Sequence, residues 1–214
     1  MERNRLLILT FVTASLCLLF WTPVSEATGN FVTVSLPHSL AIDIPRNWEI
    51  LSNNKRITID SAVESRLDLS GNSSEPSALN FAANYIEDGG RTAAIVNVRY
   101  YPEMDLTQED AASAPVEDVR ALDSQLREGM SKAGEMNGFT VLEWRGTLKK
   151  QINGITAFVT EYKRSAIRGN GDFVIRLVRV FDGGESFTLT VSYRDRDGFL
   201  LRPICDRIIA SLST

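Results

Sequence analysis

Apolar and polar positions fall into two regimes along this chain: short runs with a two-residue period and two stretches with a helical one. Residues 31–36 (FVTVSL) and 39–44 (SLAIDI) read as two short strands separated by Pro37 and His38. Pro45 stops the second, and Trp48 follows three residues later. Ile57 to Asp60 is a short extended run. Ser61 and Glu64 form a capping-box pattern that predicts a short helix through Leu69, closed by Gly71, with a loop over 71–77. Residues 79–86 and 93–101 predict two strands joined by the EDGG turn at 87–90.

Residues 102–115 are polar and acidic, with Thr107, Asp110, Ser113 and Pro115 as helix-start signals. Val116, Val119, Leu122, Leu126, Met130 and Ala133 then recur at spacings of 3, 3, 4, 4 and 3. That is one core-facing stripe on an amphipathic helix, ended by Asn137-Gly138. Residues 139–152 and 155–165 predict a hairpin, because Asn153 and Gly154 both accept φ > 0. After the loop 166–172, residues 173–181 and 185–193 predict a second hairpin across Asp182-Gly-Gly. A final helix begins near Gly198 or Pro203, with Leu201, Ile204, Cys205, Ile208 and Leu212 on one stripe.

In 155–162, Ile155, Ala157 and Val159 point one way while Phe158 and Tyr162 point the other. In 173–181, Phe173, Ile175, Leu177 and Phe181 oppose Val174, Val178 and Val180. Both faces of the sheet are therefore apolar enough to need cover. The expectation is an α+β fold with a central antiparallel sheet flanked by helices on both faces, an α/β/α sandwich. Without repeat, low-complexity tract or linker, residues 28–214 read as a single domain.

The first residues set the compartment. Arg3 and Arg5 precede an apolar run from Leu6 to Trp21, and Ser25 and Ala27 sit at the small positions of a cleavage site. This is the pattern of a secretory signal peptide over residues 1–27. An uncleaved N-terminal membrane anchor is the alternative, although the run falls short of about 20 residues. A lipoprotein acylated at Cys17 is disfavoured by Leu16, where a small residue is wanted. No second stretch is long enough to span a bilayer, so the expected product is periplasmic or extracellular. Cleavage removes Cys17 and leaves Cys205 as a lone thiol whose apolar neighbours favour burial.

Composition excludes more than it suggests. The 214 residues carry 23 Lys+Arg against 27 Asp+Glu, a net charge of −4, which argues against nucleic acid as a partner. Two Cys and one His leave little for a zinc site, a Cys–His nucleophile or a Ser–His–Asp triad. No cofactor is expected. Asp195-Arg-Asp197 reads as a turn and helix cap rather than a cation site. The acids Glu103, Asp105, Glu109, Asp110, Glu117, Asp118, Asp123 and Glu128 read as a solvated face, with docking of a basic partner as the functional alternative. Lys149, Lys150, Lys163, Arg164 and Arg168 form a basic cluster on the first hairpin and its exit. They are the candidate partner-binding residues, weighed against simple protection of a sheet edge.

Four segments together resemble the PsbP-like superfamily, which also holds DcrB-type proteins and a Ran-binding nuclear import factor. They are LAIDIPRNWEIL (40–51), GFTVLEWRG (138–146), INGITAFVTEYKRS (152–165) and FDGGESFTLTVSYRDRDGFLLRPICDRIIASLS (181–213). The resemblance implies an antiparallel sheet sandwiched by helices and a binding or assembly role rather than catalysis. No catalytic motif is carried over. The functional expectation is an exported, non-enzymatic protein of the cell envelope that binds, adapts or assembles another envelope protein. A small-ligand binder using a cleft between sheet and helix is the second reading. A carboxylate-based hydrolase is the third, and it requires two carboxyl groups to converge in an apolar pocket.

Overall fold

The structure, a computed structural model, describes residues 30–36, 39–51, 78–104, 106–167 and 171–213. The expected signal segment, His38, the predicted run, helix and loop over 57–77, Asp105 and Arg168 lie outside them.

The elements in order are β1 (Phe31–Ser35), β2 (Ala41–Pro45), β3 (Glu49–Ile50), β4 (Ala78–Ile86) and β5 (Thr92–Met104). Then come α1 (Gln108–Ser113), α2 (Val116–Asn137), β6 (Val141–Ile152), β7 (Ile155–Ser165), β8 (Asp172–Phe181), β9 (Gly184–Arg194) and α3 (Gly198–Ala210), the last entered through a 3₁₀ turn over Asp195–Asp197. Seven strands make one antiparallel sheet in the order β3-β4-β5-β9-β8-β7-β6; β1 and β2 form a separate two-stranded ribbon. Phe31–Thr214 form one compact unit.

The sheet is α+β and covered on both sides. On one face lie α3 and the β1–β2 ribbon, with Ile42, Ile44, Leu201, Cys205 and Ile208 packed on Val96, Val178, Val180, Leu189 and Val191. On the other face α1 and α2 bring Ala111, Val119 and Met130 against Phe158, Phe181, Tyr162 and Ile175. Each large apolar side chain removed from water here contributes about 1.5–3 kcal/mol before chain entropy is counted. The alternation predicted for β7 and β8 is thus the alternation observed. The far half of the α2 face is polar, however, because β9 presents Ser186, Thr188, Thr190 and Ser192 there.

Local chemistry sets the boundaries. Asn153 and Gly154 hold φ values of 48° and 85°, both left-handed, and close the β6–β7 hairpin. Gly138 stands at φ 75° and its N–H donates to the Gly134 carbonyl, ending α2. The acidic stretch before α2 departs from the sequence expectation. A capping box of Thr107 and Asp110 starts a separate helix, α1, and Pro115 divides it from α2. The predicted stripe of α2 also stops short, since Val116 is exposed while Val119, Met130 and Ala133 are buried.

Candidate functional site

On the α3 face the apolar alternation of β7 gives way at Glu161, and that of β8 is broken at Arg176. Ile155, Ala157 and Val159 are followed there by Glu161, and Val174 by Arg176; Glu161 and Arg176 are register partners. Arg176 is only 7% exposed, although its neighbours Val174, Val178 and Val180 are core residues. A buried guanidinium needs paired charge and hydrogen bonds. Its Nε donates to Glu161 Oε2 at 2.8 Å, and its Nη1 donates to Asp206 on α3. Glu161 also accepts from Arg145 of β6, which donates Nε to Glu143 Oε1 at 2.9 Å. Burial alone would raise the Glu161 carboxyl. Hydrogen bonds and charge from Arg145 and Arg176 outweigh it and hold the group below the ordinary carboxylate value.

Glu161, Arg176 and Asp206 of this network line a cleft of about 450 Å³ between the β6–β7 hairpin and α3. That volume falls within the roughly 300–1,000 Å³ of small-molecule sites. Val159 also lines it, Lys150 and Ile152 stand on the β6 side, and Arg202, Asp206 and Ile209 on the α3 side. Glu161 and Asp206 both meet Arg176, whereas Lys150 and Arg202 have no carboxylate partner among the described residues. The cleft thus offers two uncommitted cations beside a closed ion network. Leu148 lies on the same strand face as Lys150 and is 59% exposed, and Phe199, one turn before Arg202, is 92% exposed.

The structure distributes the predicted basic residues rather than gathering them. Lys149 and Lys150 point to opposite faces at one end of the hairpin, and Lys163 and Arg164 do so at the other. Lys149 reaches over α1, donating from Nζ to the Ala112 and Ala114 carbonyls at 2.7 and 2.8 Å. Lys163 joins Asp195 at 2.7 Å and Asp172 at 3.0 Å. The Arg164 guanidinium lies 4.9 Å from the Phe139 ring centre and 5.8 Å from that of Phe173. Lys150 alone lines the cleft, and Arg168 falls outside the described residues.

The acidic residues have structural work of their own. Asp110 caps α1, Asp123 accepts from Trp144 Nε1 at 3.0 Å, and Glu128 pairs with Lys132 at 2.7 Å. Asp197 lies 3.7 Å from Arg194 Nη1. Trp144 stacks on Tyr162, and buried Trp48 on Tyr85. The sequence reading passed over Arg176, Glu161, Asp206 and Arg202. One signal was available: Arg176 breaks the Val174–Val178–Val180 alternation, and a charge on a core face demands a partner across the strand or from a covering helix. Nothing in the sequence named α3 as that helix.

Comparison with solved structures places this sheet and its covering helices. The solution structure of cyanobacterial PsbP (CyanoP) from Synechocystis sp. PCC 6803 superposes with a TM-score of 0.53, at 10% identity, over 91% of this chain and 98% of that one. The fold is PsbP-like. The structure of LpqN, described as involved in cell envelope biogenesis of Mycobacterium tuberculosis, is more distant: TM-score 0.45, 10% identity, 86% of this chain and 89% of that one. No protein-family profile and no curated protein sequence matches. A PsbP-like fold at such low identity fixes architecture and leaves chemistry to the residues of this chain. Among the described residues, no helix is long and apolar enough to cross a membrane.

Proposed function

We propose that the protein is an exported, non-catalytic component of the cell envelope, a binding or assembly factor that engages another envelope component through the cleft between α3 and the β6–β7 hairpin. The observation that carries this reading is the division of labour in the cleft. Both of its carboxylates are spent on Arg176, while Lys150 and Arg202 are left to an incoming group. A general acid needs a carboxyl raised toward neutral pH, and Glu161 is held in the opposite direction. Export rests on the signal-peptide pattern of residues 1–27.

The test is capture from a cell-envelope extract on the immobilised protein, compared with an Ala210→Trp variant. Ala210 is exposed at the cleft's α3 wall, so an indole there fills the opening without disturbing the core. A partner retained by the native protein and lost by the variant supports the reading. Equal capture by both overturns it.

A further inference from the structure

From the charge and shape of the cleft we infer its ligand class: a small amphipathic oxyanion, a phosphate or carboxylate carried on a short apolar stem. The inference rests on the binding role proposed for the cleft and adds the chemistry of its occupant.

Three observations converge. First, the cation balance at the cleft is asymmetric. Lys150, Arg176 and Arg202 face Glu161 and Asp206, and both acids are engaged by Arg176. An anion entering between Lys150 and Arg202 meets no unpaired carboxylate. A cation would have to compete with Arg176 for Glu161 or Asp206. Second, the two free cations differ in kind. Arg202 offers a planar fork suited to two oxygens, and Lys150 a point charge on a flexible stem, the pairing that oxyanions use. Third, apolar surface continues beside both. Ile152, Val159 and Ile209 line the cleft, exposed Leu148 shares the strand face of Lys150, and exposed Phe199 stands one helical turn before Arg202. A bare inorganic anion would leave that surface wet, and a neutral apolar ligand would leave the two cations unmatched.

The probes are octyl phosphate below its micelle concentration, inorganic phosphate, uncharged octyl glucoside, and vesicles of anionic phospholipid, each titrated calorimetrically or by sedimentation. Octyl phosphate is expected to bind at least tenfold more tightly than either inorganic phosphate or octyl glucoside. Lys150→Ala and Arg202→Ala each weaken it about tenfold, and Arg202→Lys weakens it less. Both side chains are exposed and form no ion pair among the described residues, so the variants should keep the native circular dichroism, which is measured alongside. Vesicle binding that depends on Arg202 assigns the oxyanion to a lipid headgroup. Binding of soluble octyl phosphate without vesicle binding assigns it to a free ligand. The inference is overturned if octyl glucoside binds as well as octyl phosphate, or if the Lys150→Ala/Arg202→Ala double variant binds octyl phosphate like the native protein. If octyl phosphate fails while envelope capture remains sensitive to Ala210→Trp, the ligand class is wrong and the binding role stands. If capture is also insensitive, both fall.

Discussion

At the scale of single residues, buried charge and buried thiol behave in opposite ways. Cys205 is fully buried against the sheet, and desolvation pushes its thiol up to about 12. It is therefore a protonated, apolar group at neutral pH. A thiol reagent added to the native protein should report no reaction at Cys205 over minutes, and full reaction once denaturant opens the core. Prompt native labelling at Cys205 would contradict the packing. Arg176 keeps its charge instead, because Glu161 and Asp206 meet it. Glu161→Gln leaves the guanidinium buried beside a neutral amide. Breaking a fully buried pair costs about 3–5 kcal/mol; Glu161 retains some exposure and Asp206 remains, so about 2 kcal/mol is expected in urea unfolding. Asp206→Asn removes a more exposed partner and should cost less.

Elements are held at their ends by side chains whose reach the local pattern does not reveal. The Asn153-Gly154 turn was legible as a hairpin. That Asn153 Nδ2 also donates to the Ala210 and Leu212 carbonyls, tying the end of α3, was not. Lys149 plays the same part for α1, so a lysine readable as edge protection also satisfies the carbonyls of a helix terminus. Gly134 shows how packing overrides propensity. Inside an exposed helix, Gly→Ala gains up to about 1 kcal/mol. Here an added Cβ would stand 2.5 Å from the Phe139 carbonyl oxygen. Gly134→Ala should therefore lower the thermal midpoint by several degrees, about 1–3 kcal/mol, through a clash in the α2–β6 connection. A raised midpoint would show that the connection yields.

The whole molecule has a pH response set by groups on both sides of neutrality. Glu161 titrates below its unfolded value of about 4.3, held there by Arg145 and Arg176 against its burial. Its contribution is complete above that value and is lost as pH falls through the depressed native one. The Cys205 thiol is raised, so its contribution is complete below about pH 8.5 and is lost as pH climbs toward the native value of about 12. The thermal midpoint should form a plateau between about pH 5 and pH 8 and fall on either side. Glu161→Gln should flatten the acid limb. An acid limb identical in that variant would show that Glu161 does not set it.

Sequence alone determined what local energetics can decide. Strand alternation, the Asn153-Gly154 and Asp182-Gly183-Gly184 turns, the α2 stripe and the glycine after it are written in residues a few positions apart, where periodicity and left-handed φ settle the outcome. Those elements were enough for an α+β sheet between helices. Tertiary structure decided what depends on residues far apart in the chain. Glu161 and Arg176 meet only through strand register, and Asp206 reaches Arg176 only because α3 folds back over β8. Of the five basic residues that look like one cluster, the four that the structure describes are divided because successive side chains in a strand face opposite ways. Of those four, only Lys150 lines the cleft with Arg202, 52 positions away in sequence, because strand alternation turns Lys149 to the other face and α3 folds back over the sheet.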